Sequence, residues 1–205
     1  MESMDEKILE WKQQIKAGEA PPPAKEMLSQ QEVSASIMEG ALHTKYGSME
    51  FEEILIPEYA LSTRLPKGFA LMPEPIARAK YPFESRPKYI YSDPAYDTSL
   101  GFQYTPQPLQ DDEVEAAKDA MLDMMTKFQP SNDWIDNGVT QVNDKTIGYL
   151  LFLSPALDGK VFNLVYLTAW RGKGLVCNFN CREQERRIWK PIAMGLMESL
   201  KEIRK

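Results

Sequence analysis

The sequence predicts an α/β (α+β) domain in which an antiparallel sheet is layered between helices. Three observations predict it. Four strand-like runs follow one another between residues 134 and 180, joined by turns that allow only antiparallel pairing. Two of these runs, 148–153 and 162–170, are apolar at nearly every position, the mark of central strands covered on both faces. Two amphipathic stretches, over 111–128 and toward the C-terminus, repeat apolar residues at spacings of three and four and supply covering helices.

Residues 1–50 read as an N-terminal helical arm and residues 51–205 as the sandwich domain. Asp5 to Ala17 predicts a short helix with Ile8, Trp11 and Ile15 on one side, ended by Gly18. Pro21, Pro22 and Pro23 form a stiff spacer. A second helix is expected from Lys25 to about Lys45, with a stripe of Leu28, Gln31, Ala35, Met38 and Leu42 and a stop at Gly47. Strands follow over 51–56 and 59–65, then a turn through Leu65–Phe69 and a helical turn within 72–80. Residues 88–92 and 100–105 read as paired strands around the turn-rich run 93–97.

The clearest internal helix spans 111–128, where Val114, Ala117, Met121, Met124, Met125 and Phe128 share a face. Asp111, Asp112 and Glu113 complement the helix dipole in its first turn, which accounts for this acidic cluster without a metal. The meander comprises 134–142, 146–153, 161–170 and 175–180, with turns at Asn143–Asp144, Asp158–Gly159 and Arg171–Gly174. The last helix is expected to start at Asn180, with Glu183 completing a capping box, and to kink at Pro191. Its stripe is Ile188, Ile192, Leu196, Leu200 and Ile203. Leu164, Val165, Phe179, Ile192, Leu196 and Leu200 are expected in the core.

Composition narrows the function. With 43% hydrophobic residues the chain can build a sizeable core. Twenty-four basic and thirty acidic side chains give a net charge of −6, which disfavours a nucleic-acid partner. No run of eighteen apolar residues occurs, so no helix is expected to span a membrane. The first eighteen residues lack the apolar stretch of a secretory signal, which sets the cytoplasm as the expected location. Cys177 and Cys181 lie four apart on a strand running into a loop, too far apart for a disulfide, and read as reduced and partly buried.

The chemistry-bearing residues are sparse. His43 is the only histidine, so neither a four-ligand zinc site nor a histidine-based general base is indicated. Nucleophile-elbow, phosphate-loop and dinucleotide motifs are all missing, and Gly172–Gly174 joins two strands instead of opening a helix. Neither catalytic residues, nor a metal, nor a cofactor is expected. Arg182, Arg186, Arg187 and Lys190, interleaved with Glu183 and Glu185, read as a solvated helix start. Tyr166 and Trp170 share a parity on one strand, as do Phe102 and Tyr104 on another. These four are the candidate partner-binding residues, a groove of aromatic side chains; the other reading places them in the core beneath a helix.

The run Asp158–Leu164, then Cys177-Asn178-Phe179-Asn180-Cys181, Trp189 and Met197-Glu198-Ser199-Leu200, resembles the PsbP/Mog/DcrB-like superfamily, most closely its uncharacterised bacterial members. The resemblance covers residues 51 to the end. It implies an α/β/α sandwich around an antiparallel sheet and the role of an accessory factor that binds another protein. Without a shared binding motif in that group, it carries over no site residue. The expectation is a non-enzymatic protein-binding module, chaperone-like or immunity-type. The alternative is a small-ligand binder or a weak carboxylate-based hydrolase.

Overall fold

The structure, a computed structural model, describes residues 28–44, 47–84 and 86–203. The helix expected over 5–17 and the triple-proline spacer lie outside these residues. In chain order the elements are α1 (Gln30–Glu39), β1 (Ala41–Thr44), β2 (Gly47–Ile56), β3 (Leu61–Pro66), β4 (Ala70–Leu71), α2 (Glu74–Lys80), β5 (Tyr89–Ser92) and β6 (Ser99–Pro108). They continue with α3 (Val114–Phe128), β7 (Asp133–Val142), β8 (Lys145–Ala156), β9 (Gly159–Trp170), β10 (Lys173–Arg182), α4 (Arg186–Glu198) and β11 (Lys201–Glu202). The fold is mixed α/β with antiparallel sheets. Two compact units form: the described residues up to Phe69 with those from Gln184 onward, and Ala70–Glu183.

In the first unit the sheet order is β1-β2-β3-β11. Ser29 and Glu32 form a reciprocal capping box that fixes where α1 begins, with Ser29 N donating to Glu32 Oε2 at 2.7 Å. Gly40, at φ +99°, ends it and turns the chain into β1, so the helix stops well short of Lys45. The phase set by this cap buries Val33 and Ile37, whereas Leu28, Gln31 and Ala35 of the expected stripe are exposed. Packed against α1 is α4, which buries Trp189, Ile192, Ala193, Leu196 and Met197.

Asn180 does not cap the last helix. β10 continues to Arg182, and a single helical turn over Glu183–Glu185 leads into α4. The helix runs through Pro191, whose carbonyl accepts from Gln30 Nε2 at 3.0 Å. It ends at Glu198 instead of reaching Ile203, because Ser199 diverts the chain. Ser199 Oγ accepts from Arg64 N at 2.9 Å, lies 2.9 Å from Thr63 Oγ1 and donates to the Leu196 carbonyl at 2.7 Å. This brings Lys201 and Glu202 into pairing with Ser62 and Leu61 of β3.

The second unit holds the seven-stranded order β4-β5-β6-β10-β9-β8-β7. Its meander follows the expected strands with longer bounds. Asn143 and Asp144 both take positive φ, 48° and 63°, as the twist of a two-residue hairpin requires. Arg171 and Gly172 do the same between β9 and β10. In β9, every residue from Phe162 to Trp170 is buried. One face of β8 and β9 is covered by α3: Val114 sits with Leu167 and Ala169, and Met121, Leu122 and Met125 sit against Leu150, Phe152 and Val165. A Cβ at Gly148 would come within 2.8 Å of Lys118 Cβ, so glycine lets the helix lie close on β8. On the same face of the sheet, α2 and Tyr81 pack over Ile90 of β5.

Candidate trough beside the methionine-rich helix

Alternation along β10 separates two chemistries. Leu175, Cys177, Phe179 and Cys181 point to one face of the sheet and are buried. Gly174, Val176, Asn178 and Asn180 point to the other, the face on which α3 lies. Register places Val176 beside Leu167 and Gln103, Asn178 beside Val165 and Gly101, and Asn180 beside Asn163 and Ser99.

Two walls stand on that face with β10 between them. The first is the flank of α3. Ala117 and Met121, like Val176, pack against the cluster of Leu109, Val114, Leu167 and Ala169, and Met124 and Phe128 continue the row at helical spacing. Met124 is 53% exposed and Phe128 81% exposed, although both are large apolar side chains. The second wall comes from the segment between α2 and β5. Pro87 lies over Gly101, where a Cβ would meet its Cγ at 2.7 Å. Phe83, 76% exposed, belongs to the same segment. The strip between the walls is a trough, floored by the half-buried side chains of Gln103, Val176 and Asn178.

The trough's polar end is internally satisfied, whereas its middle holds a buried acceptor without a partner. Tyr81 Oη lies 2.7 Å from Ser99 Oγ and accepts from Asn180 Nδ2 at 2.9 Å, and Ser99 Oγ donates to Asn180 Oδ1 at 3.0 Å. Asn163 Nδ2 donates to Ser154 Oγ and to the Val161 carbonyl, each at 3.0 Å. Asn178 Oδ1 differs: it is sealed from solvent and no hydrogen-bond donor among the described residues reaches it. A buried acceptor in that state destabilises the free chain by about 1–3 kcal/mol.

Beyond the Tyr81 end, Lys80 is exposed as a residue, yet its ammonium tucks against the Tyr96 carbonyl at 2.7 Å. Loss of water there holds its pKa below the usual lysine range, against the pull of Asp93 and Asp97. Asp97 also accepts from Arg182 at 2.9 Å, which takes Arg182 out of the expected basic cluster as a free cation.

The four aromatic candidates share one face of the sheet, the one opposite α3. Cross-strand register sets Phe102 beside Cys177 and Cys177 beside Tyr166. Phe102, Tyr166 and Trp170 are fully buried, so these three belong to the core, because β6 and β9 are interior strands of the sheet. Tyr104, half-buried, keeps part of its ring accessible, with Lys173 Nζ 5.7 Å from its centre. Burial pushes the Tyr166 hydroxyl and the Cys177 thiol well above their ordinary ranges, so neither ionises at neutral pH. Cys181 is equally buried.

Among the described residues no cluster of three or more His, Cys, Asp or Glu side chains could hold a metal. Asp111 instead accepts from the Thr146 amide at 2.9 Å. Glu32 and Glu74 are exposed carboxylates shifted downward, Glu32 by the Ser29 amide and Glu74 by its hydrogen bond to Arg78. A general acid needs the opposite shift. Among the described residues no helix is long and apolar enough to cross a membrane. The trough itself was missed in the sequence. The available signal was the parity of β10, which places an amide between two apolar strands.

No protein-family model matches the chain, and no curated protein matches it. Among solved structures, the cyanobacterial PsbP protein CyanoP from Synechocystis superposes with a TM-score of 0.55 at 11% identity, over 74% of this chain and 92% of that one. LpqN, involved in cell envelope biogenesis of Mycobacterium tuberculosis, gives 0.46 at 12% identity, over 69% and 82%. A Pseudomonas aeruginosa protein of unknown function gives 0.45 at 12%, over 73% and 94%. The fold is PsbP-like, as the C-terminal sequence pattern implied.

Proposed function

We propose that this chain is a non-enzymatic accessory protein that binds another polypeptide, and that the trough beside α3 is the binding surface. One observation carries the reading: Met124 and Phe128, both large and apolar, stand exposed along one flank of α3. Methionine adapts its shape to irregular apolar surfaces, and α3 offers Met121, Met124 and Met125 together. Large apolar side chains kept exposed suit recognition better than stability.

The test uses the full chain in the cell that produces it. A photo-crosslinking residue replaces Gln103 on the trough floor in one variant and Glu52 on exposed β2 in another. The protein captured from position 103 is purified and titrated by calorimetry against the wild type and Met124→Lys. Capture specific to position 103 and about tenfold weaker binding by Met124→Lys are expected. Equal capture at both positions, or affinity indifferent to Met124→Lys, refutes the proposal.

A further inference from the structure

We infer that the outer edge of β7 takes a short, basic, extended stretch of another polypeptide as an added strand. The inference goes beyond the trough, since it concerns the opposite flank of α3. β7 ends the seven-stranded sheet, and β8 is its only neighbour there. The two-residue turn at Asn143 and Asp144 makes Val142 and Lys145 a hydrogen-bonded pair, and such pairs recur at every second residue of an antiparallel ladder. The N–H and C=O groups of Val142, Thr140 and Gly138 therefore face β8. Those of Gln141 and Val139 face outward, and both residues are exposed. An incoming strand meets a donor and an acceptor at each of them.

Natural edges are blunted by lysines, prolines, bulges or charged side chains. In β7 such devices are confined to the first half. A bulge falls between Trp134 and Asp136, and Asp136 Oδ1 accepts from the Asn137 amide at 2.9 Å, which closes that outward donor. From Gly138 to Val142 the strand holds no charged residue and no proline.

Charge selects the occupant. Lys118 of α3 lies over Gly148 of β8, and its Nζ donates to Asn137 Oδ1 of β7 at 3.2 Å, so this flank of the helix borders the edge. Asp111, Glu115, Asp119 and Asp123 follow one another at steps of four and are all exposed. The row starts on this flank, since Asp111 accepts from the amide of Thr146, the β8 residue opposite Gln141. Like charges at that spacing work against a helix. Lys118, itself buried, meets Asp119 at 2.5 Å, while β7 adds Asp133 and Asp136 and no cation. An added strand with Lys or Arg at alternate positions sets its cations beside Glu115 and Asp119. A second copy of this chain fits poorly: pairing its Val139 with Gln141 brings Asp136 against Asp144, and like charges facing each other across strands repel.

The test pans a phage-displayed library of random 12-residue peptides on the full chain. Selected peptides are titrated against the wild type, Val139→Pro, Glu115→Lys and Met124→Lys. Proline at 139 removes one outward N–H and leaves the bonds to β8 in place, as edge strands allow. Peptides with net positive charge are expected, bound about tenfold more weakly by Val139→Pro and about fivefold more weakly by Glu115→Lys. Amide exchange in the wild type gives a second reading that needs no variant to fold: the Val139 and Gln141 amides should slow about tenfold or more when such a peptide binds. Unchanged exchange at both amides, or peptides indifferent to Val139→Pro or to Glu115→Lys, overturn the inference. A dimer of the free chain that Val139→Pro dissolves in sedimentation also overturns it, by making a second copy the occupant. A library that yields no peptide, or only peptides weakened by Met124→Lys alone, overturns it as well; in the latter case the trough reading stands, because the trough lies on the other flank of α3.

Discussion

Gly195 gives the sharpest test of how the first unit is packed. The glycine lies inside α4, where alanine would ordinarily stabilise a helix by about 1 kcal/mol. A Cβ there would stand 2.5 Å from Ile37 Cδ1 and 3.4 Å from Ser34 Cα of α1. The second contact is ordinary and the first is impossible without movement. Ile37 is fully buried, so its methyl group has little room to yield. Overpacking of this kind costs about 2 kcal/mol. Gly195→Ala should therefore destabilise the unit by roughly 1 kcal/mol, the difference between overpacking and propensity. Ile37→Val removes the clashing atom and by itself costs about 1 kcal/mol. In the Ile37→Val background the same Gly195→Ala change should become stabilising by about 1 kcal/mol, a coupling of roughly 2 kcal/mol between the two sites. Urea unfolding of the four proteins, followed by tryptophan fluorescence, measures this provided the m-value is unchanged. Additivity within about 0.5 kcal/mol, or a stabilising Gly195→Ala in the wild type, would show that α1 and α4 do not approach this closely.

Three further outcomes are expected. Leu196→Ala should cost about 2–5 kcal/mol in urea unfolding, since Leu196 is buried in α4; wild-type stability would refute its place in the core. Ser199→Ala leaves the Arg64 amide without its acceptor and should cost about 1–3 kcal/mol, whereas Ser199→Thr should retain part of the bond; equal loss in both would argue for shape instead of hydrogen bonding. Glu74 is held below 4.5 by Arg78 and Arg86, so what it adds to α2 is present above 4.5 and lost as pH falls through its lower folded value. Protection of the α2 amides, expressed against each amide's intrinsic exchange rate at the same pH, should therefore fall below that value in the wild type and stay flat in Glu74→Gln; parallel profiles would contradict it.

Where local chemistry decides a boundary, the sequence was legible. The meander could be read because Asn143–Asp144 and Arg171–Gly172 form turns whose residue types tolerate positive φ, and because β8 and β9 each hold a run, 148–153 and 162–170, that is apolar at nearly every position. The acidic run Asp111–Glu113 placed the start of α3 to within a turn: it forms a short turn of its own just before the helix, which begins at Val114. Errors came where a distant partner overrides local preference. Asn180 satisfies the pattern of a helix cap, yet strand pairing with β9 and β6 and bonds to Tyr81 and Ser99 hold it in β10. The stripe ending at Ile203 has helical spacing, yet Ser199 breaks it by bonding to β3. In α1 the stripe was read one phase off, because Leu28 lies before the Ser29 cap and so outside the helix. Aromatic parity was correct for Phe102, Tyr104, Tyr166 and Trp170, but parity says which residues share a face and not whether that face is covered.

β10 is a central strand whose two faces carry different chemistry. Its two parities are under different constraints. On one, Leu175, Cys177, Phe179 and Cys181 are sealed, and truncating a side chain such as Phe179 removes packing from both neighbouring strands. The two cysteines on that parity behave as small hydrophobes, since burial keeps the Cys177 thiol protonated. On the other, Asn178 lies between Gly101 and Val165, where an apolar residue would be the stabilising choice. Changes on the first parity should therefore lower stability and binding together. Asn178→Leu should leave stability at the wild-type level or above, because the acceptor it removes has no partner in the chain.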